Sequence, residues 1–150
     1  VGLCMYGYKP SQYQMNLNLK PVMSLKSKVS FIRIIDNEVG VSYGRNFITN
    51  KKTKLAVISI GYADGIYRTL SNKISLLHNG KMYPQIGAIT MDQLMIDVTG
   101  ANDINVGDTV TLLGCEEGKC ISPVDWAHAA STIPWEILCA FKNRLPRVQI

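Results

Sequence analysis

The sequence predicts a mostly β domain, a barrel or sandwich, with one or two short helices near the C-terminus. Three observations carry that prediction. Short β-branched and apolar runs recur at close spacing from Val29 to Leu113, Gly and Asp turns separate them, and helix-start signals appear only from Ser122 onward. The 150 residues amount to one domain's worth of chain. With 47% apolar and 18% charged residues, the composition is that of a folded rather than a disordered chain.

After Tyr6-Gly7-Tyr8-Lys9-Pro10, a polar stretch of Ser, Gln and Asn runs to Leu19 with neither helical nor strand period, so residues 1–19 read as the end of a preceding segment and a linker. Residues 20–150 form the β-rich unit. Val29, Phe31, Ile32, Ile34 and Ile35, a break at Asp36-Asn37, and Val39-Gly40-Val41 predict a hairpin. The continuous apolar run 55–60 predicts a buried strand feeding the loop Gly61-Tyr62-Ala63-Asp64-Gly65. Asn79-Gly80 between the apolar runs 74–77 and 81–83 is a strong hairpin signal, because both residues tolerate positive φ. Further strands are expected over 86–90, 94–98 and 109–113. Ser122-Pro123-Val124-Asp125 supplies an N-cap, a proline at the first helical position and an acid at the third, opening a helix over 126–130. A second helix is expected from Pro134 to about Lys142.

The net charge of +5 raises the question of nucleic acid, but the basic residues are scattered, the densest groups being Lys20, Lys26 and Lys28; Lys51 and Lys52; and Lys142, Arg144 and Arg147. None is interleaved with aromatics, so a solvated basic surface is the reading. No apolar run approaches the roughly 20 residues that span a bilayer. The start, Val1-Gly2-Leu3-Cys4, lacks both an initiator Met and a signal-peptide pattern, and reads as a piece of a longer protein. Cys4 and Cys139 stand alone, whereas Cys115 and Cys120 flank Glu116-Glu117-Gly118-Lys119, a hairpin that brings two thiols near each other. No second Cys or His pair completes a zinc site, so no metal is expected, and the cysteines read as structural thiols of a cytoplasmic protein. His78 and His128 lie far apart with no acidic or Cys neighbour in motif spacing.

Two Gly-rich loops each present a tyrosine: Val41-Ser42-Tyr43-Gly44-Arg45, and Gly61-Tyr62-Ala63-Asp64-Gly65 with Arg68 beyond it. Taken locally, both tyrosines read as rim residues of the core with hydrogen-bonded hydroxyls, and Met91-Asp92-Gln93 as a polar interruption between strands. In combination they say more. Leu25-Lys26-Ser27, Val41-Ser42-Tyr43-Gly44, Ile60-Gly61-Tyr62-Ala63-Asp64-Gly65 with Arg68, Met91-Asp92-Gln93, Val106-Gly107-Asp108 and Arg144-Leu145-Pro146-Arg147 follow one another in an order and spacing that resemble the C-terminal domain of bacterial alanine racemases.

That resemblance implies a fold-type III enzyme. An N-terminal (β/α)8 barrel, absent from this chain apart from its last segment within 1–19, holds pyridoxal phosphate on a lysine. It also implies a head-to-tail homodimer, in which this β domain closes the active site on the other subunit's barrel. Tyr43 resembles the catalytic tyrosine that removes or returns the α-proton on one face of the substrate, with the cofactor lysine serving the opposite face. An unassisted phenol ionises near pH 10, so only about one in a thousand is a base at neutral pH, and nearby positive charge must help. In the family that help comes from barrel residues; Arg45 has the right charge, but its direction does not follow from the sequence.

Tyr62 resembles the tyrosine of the narrow inner mouth of the substrate channel and Arg68 a residue of the wider outer mouth. The backbone N–H of Met91 resembles a donor to the substrate carboxylate, and Asp92 a residue that orients that loop. Gly2 and Leu3 resemble the main-chain donors to the cofactor phosphate. Trp135, before Glu136, stands where the family commonly has a tyrosine on that phosphate; an indole N–H donates but cannot accept, so Trp135 is either a substituted phosphate ligand or a core aromatic. The resemblance implies L-/D-alanine as substrate. The same domain of a serine or broad-specificity racemase, and a non-catalytic interaction module, are the alternatives.

Overall fold

The computed structural model of the chain describes residues 2–10 and 16–149. A short helix α1 (Gly2–Met5) is followed by seven strands, β1 (Leu25–Ile35), β2 (Thr53–Ile58), β3 (Ser75–His78), β4 (Lys81–Ile86), β5 (Leu94–Asp97), β6 (Thr109–Glu116) and β7 (Lys119–Ile121), then helices α2 (Pro123–Ala130) and α3 (Pro134–Cys139). All recorded strand pairings are antiparallel, in the order β1-β2-β5-β4-β3-β6-β7. A further pairing of β1 with β6 closes the sheet into a barrel and leaves β7 as an outer arm on β6.

Closure is the work of β1, whose 11 residues are long enough to serve two partners. Its first half, Leu25 to Lys28, pairs with β6, and its second half, Val29 to Ile35, pairs with β2; the register shifts between Val29 and Phe31. An irregularity of that kind bends a strand and lets it change sheets. The expected hairpin of 29–35 with 39–41 is therefore corrected: Ile32 lies opposite Ala56, and Gly40 bridges Ile48 instead. Phe31 and Ile34, on opposite faces of β1, are both exposed, while Val29, Ala56, Ile58, Leu94, Ile96, Val110 and Leu112 are buried in one continuous core.

The β3–β4 hairpin forms as expected, with Asn79 and Gly80 at φ 48° and 66° in the two-residue turn. Residues 87–90, expected as strand, leave the ladder after Ile86 and run as a loop. In the β6–β7 hairpin Cys115 faces Cys120 and the two are joined as a disulfide, which corrects the reading of four free thiols; Cys4 and Cys139 are free. The tight turn puts directly opposed positions in reach of one bond, with Cα atoms 4.1 Å apart.

Helix α2 begins with a reciprocal cap: the Asp125 N–H donates to Ser122 Oγ, and the Ser122 N–H donates to the Asp125 carboxylate. It buries Trp126, 1% exposed, against the open end of the barrel, where the indole meets the Phe141 ring at a 6.5 Å centroid separation. Helix α3 starts at Pro134 as expected but ends at Cys139. Of the expected linker, residues 11–15 lie outside the described residues; its two sides meet where the Val22 N–H donates to the Tyr6 carbonyl. Among the described residues, no helix is long and apolar enough to cross a membrane.

Candidate functional site

Between β1 and β2 the chain folds back over the outside of the barrel. Val41 and Phe47 pack there on Ile35, Leu55 and Ile86, forming a second small apolar cluster. Thr49, itself buried, ties the base of this ribbon: its hydroxyl donates to the Asp36 carbonyl at 2.7 Å and accepts from the Val39 N–H at 3.0 Å. At the tip, Ser42, Gly44 and Arg45 all take positive φ, at 63°, 74° and 48°. Ser42 at ψ −169° lies in a region almost reserved for glycine, a strain of about 1–3 kcal/mol that tertiary contacts must hold in place. One such contact is its own hydroxyl, which donates to the Ala88 carbonyl at 2.7 Å. The outcome is a firmly based turn that presents Tyr43 73% exposed. The Arg45 stem lies across Gly40, where an added Cβ would sit 2.8 Å from its Cγ.

The loop after β2 and the loop before β5 form a second unit. The Tyr62 N–H donates to the Thr90 carbonyl at 2.9 Å and the Ala63 N–H to the Met91 carbonyl at 3.0 Å. Gly61 makes this approach possible: a Cβ there would lie 2.2 Å from the Thr90 oxygen and 2.4 Å from the Met91 oxygen. The Asp64 carboxylate, on a residue only 8% exposed, accepts from the Gly61 N–H at 2.9 Å. Arg144 then joins the two loops, with Nε 3.1 Å from Asp64 and Nη2 2.6 Å from Asp92. The hydrogen bond to Asp92 and the charge of Asp64 push its guanidinium above the ordinary value. Thr90 turns back on Gln93 through both its N–H and its hydroxyl, whereas the Met91 N–H donates to none of the described residues.

These two units are linked by residues 87–91. The Ser71 hydroxyl accepts from the Ile89 N–H and donates to the Arg68 carbonyl; Asn72 accepts from the Gly87 N–H, and its own N–H donates to buried Gln85. Met91 lies three positions after Ala88, which sits under the Tyr43 turn, so even fully extended chain keeps those anchors within about 11 Å. Tyr43, Met91 and Asp92 are thereby brought to one side of the barrel. Tyr62 and Arg68 share an open groove of about 820 Å³ with Tyr67, Glu136 and Cys139. Burial first, then Glu136 and Cys139, pushes the Tyr67 phenol up.

Leu3 and Trp135 line a different cleft, of about 370 Å³, together with Lys9 and His128. Leu3 is buried, and Gly2 lies beside it in the first turn of α1. Trp135 is 41% exposed and absent from the core cluster, which speaks against the core-aromatic reading. Its indole N–H donates to none of the described residues. Histidine 78, by contrast, is a buried pin whose ring nitrogens lie 3.1 Å from the carbonyls of Thr109 and Asp103. Among the described residues, no three His, Cys, Asp or Glu side chains converge as a metal site would require. Sequence reasoning missed Asp64, Asn72 and Gln85, and assigned no role to Arg144; the only signal was the Asp in the Gly-Tyr-Ala-Asp-Gly turn and the Arg-Leu-Pro-Arg run.

The family model described as "Alanine racemase, C-terminal domain" matches residues 22–149. An alanine racemase from Prochlorococcus marinus is 52% identical over 151 residues, covering 100% of this chain and 39% of the relative. One from a Nostoc species is 50% identical with the same coverage. Among solved structures, the alanine racemase of Bartonella henselae with covalently bound pyridoxal phosphate superposes with a TM-score of 0.88 at 35% identity, over 99% of this chain and 40% of that one. That of Bacillus anthracis with bound L-Ala-P gives 0.87 at 35% identity, over 94% and 36%. The chain thus spans about two-fifths of the length of the relatives it matches. A barrel closed by a two-partner first strand, its exposed tyrosine turn and the match over 22–149 lead to one assignment: the chain belongs to the alanine racemase C-terminal domain family.

Proposed function

We propose that this chain is the part of a pyridoxal-phosphate-dependent alanine racemase that presents a proton-transferring tyrosine, Tyr43, to an active site completed by the preceding barrel and a second subunit. The observation that carries the reading is the Tyr43 turn itself: strained at Ser42, pinned to Ala88, yet holding its phenol 73% exposed. Strain kept at an exposed tip serves presentation rather than stability. Phe31 and Val39, both exposed, line one apolar hollow with Val41 and Met95 beside Ser42 of this turn, a surface of the kind that a partner covers. Relatives 50–52% identical over the whole chain are named alanine racemases, which supports alanine as the substrate.

The cleft of Leu3 and Trp135 is also lined by Lys9, His128 and Thr132, side chains whose N–H and O–H groups suit a phosphate. Gly2, Leu3 and Trp135 would hold the phosphate of the cofactor, which when bound supplies the electron sink that makes the α-proton removable. The remaining tasks fall to this chain's own groups. Tyr43 Oη takes the α-proton from one face or returns it there. The Met91 N–H donates to the substrate carboxylate, Asp92 steadies that loop, and Tyr62 and Arg68 shape the way in. The opposing base and the groups that ready the phenol belong to the rest of the protein. A cytoplasmic location is part of the proposal, supported by the free thiols of Cys4 and Cys139.

The test is the full-length protein, assayed for interconversion of L- and D-alanine. Tyr43→Phe should lower kcat strongly and slow α-proton exchange unequally for the two enantiomers, with cofactor binding intact. Near wild-type exchange from both enantiomers would reject the assignment. This chain alone, with added pyridoxal phosphate and L-alanine, should show no conversion above the free-cofactor background.

A further inference from the structure

Arg144 opens the Arg-Leu-Pro-Arg run, and nothing in the functional reading above uses it. In the structure it is the cation between two carboxylates on two different loops, Asp64 at 3.1 Å and Asp92 at 2.6 Å. We propose that Arg144 is a positioning residue for the reaction, clamping the 90–93 loop so that the Met91 N–H keeps the direction in which it holds the substrate carboxylate. This rests on the role proposed above for Met91.

The geometry runs as a chain of bonds. The 90–93 loop is fixed at three points: the Thr90 carbonyl on the Tyr62 N–H, the Met91 carbonyl on the Ala63 N–H, and the Asp92 carboxylate on Arg144. The Thr90 carbonyl and the Met91 N–H belong to one trans peptide plane and point in opposite directions, so the bond to Tyr62 turns the Met91 N–H away from the Tyr62 backbone. Both carbonyl contacts depend on the placement of the 61–65 loop, which Asp64 sets by accepting from the Gly61 N–H. Arg144 fastens Asp64 and Asp92 together with one rigid fork. Without it, two carboxylates on adjoining loops would face each other, one of them buried, with no other cation within ion-pair distance among the described residues. A lysine keeps the charge but not the fork that reaches both acids.

The test uses the full-length holoenzyme and propanoate, the substrate's carboxylate skeleton without its amine. In Arg144→Met, which retains an apolar stem, the KM for L-alanine and the propanoate dissociation constant should each rise about tenfold, the cost of misaligning one charge-assisted hydrogen bond, while kcat stays within about threefold. Arg144→Lys should fall between. Asp92→Asn should shift both constants the same way, and its effect should largely vanish in the Arg144→Met background. If Arg144→Met does not fold, Arg144→Lys and Asp92→Asn carry the comparison. A lowered melting temperature with unchanged KM and propanoate affinity would make Arg144 merely structural and overturn the proposal, as would a fall in kcat at constant KM. A wild-type protein that does not racemise alanine defeats the functional reading, whereas the propanoate comparison needs no turnover and still decides for or against Arg144; wild-type protein that does not bind propanoate overturns it.

Discussion

Gly61→Ala should open the seam between the two loops that carry Tyr62 and Met91. Backbone strain is not the reason, because Gly61 is extended at φ −152°, a conformation open to any residue. The effect is steric. An alanine Cβ would stand 2.2 Å from the Thr90 carbonyl oxygen and 2.4 Å from that of Met91, against an ordinary contact of 3.4 Å or more, and neither obstacle is a flexible side chain. The loops must part by about 1 Å, which stretches the 2.9 Å and 3.0 Å bonds from Tyr62 and Ala63 beyond hydrogen-bonding range.

Two such bonds contribute about 1 kcal/mol each, and the Arg144 fork loses part of its fit to Asp64 and Asp92. The lower chain entropy of unfolded alanine returns about 0.4–1 kcal/mol. A net loss of about 2 kcal/mol lowers the melting temperature of a domain this size by roughly 4–8 °C. Thermal and urea unfolding of the chain, followed by circular dichroism, measure it. Met91→Ala is the comparison: its exposed side chain is dispensable, its carbonyl is retained, and its melting temperature should barely move. If Gly61→Ala melted within a degree of wild type, the close approach would not be holding the loops together.

The Tyr83 hydroxyl is buried without a partner among the described residues, so Tyr83→Phe should stabilise the chain by about 1 kcal/mol; a loss of that size would reveal a bond the hydroxyl makes. The phenols of Tyr8, Tyr67 and Tyr83 are each pushed above the ordinary range, first by burial. The folded state thus holds those protons more tightly than the unfolded state. Their contribution is full below about pH 10 and is lost as pH rises through the raised values, so urea midpoints should fall above pH 10, less steeply in Tyr67→Phe/Tyr83→Phe. Midpoints level to about pH 11 would contradict this. Ser122→Ala removes one arm of the α2 cap and should cost about 1 kcal/mol by urea titration; an unchanged midpoint would mean that Asp125 alone suffices.

Much of the fold was legible because its signals are local. Asn79-Gly80 specified a turn whatever the rest of the chain did, and Ser122-Pro123-Val124-Asp125 named the cap of α2, although the helix starts at Pro123 rather than at the expected Trp126. What remained hidden was non-local. The run 29–35 reads as strand, but which strands lie beside it depends on the bend near Val29 that sends one half to β6 and the other to β2. Alternation could not reveal that Phe31 and Ile34, which lie on opposite faces of β1, are both exposed, since an apolar residue awaiting a partner looks in sequence like one turned to the core. Residues 87–90 misled for a related reason: Gly87 at φ 77° turns the chain out of the ladder, and the apolar Ala88 and Ile89 are buried as a loop.

The site divides along the same line. Tyr43, Tyr62 and Met91 sit in short motifs whose order along the chain is informative, so the sequence could nominate them. It could not show what aims them. Arg144 lies 52 residues from Asp92, and Ser42 lies 46 from Ala88. No spacing rule connects such pairs, because the barrel, not the intervening chain, brings them together. The residues that aim the site are polar groups bonded to other parts of the fold: a hydroxyl on a carbonyl, an amide on an N–H, one guanidinium between two acids. In sequence they look like ordinary surface residues. What separates them is a partner on a distant stretch of chain, as Asp92 is for Arg144 and Ala88 for Ser42, and such partners meet only when β1 closes the barrel. The groups proposed to touch substrate were therefore nominated from the chain itself, while those that hold them in place required the closed fold.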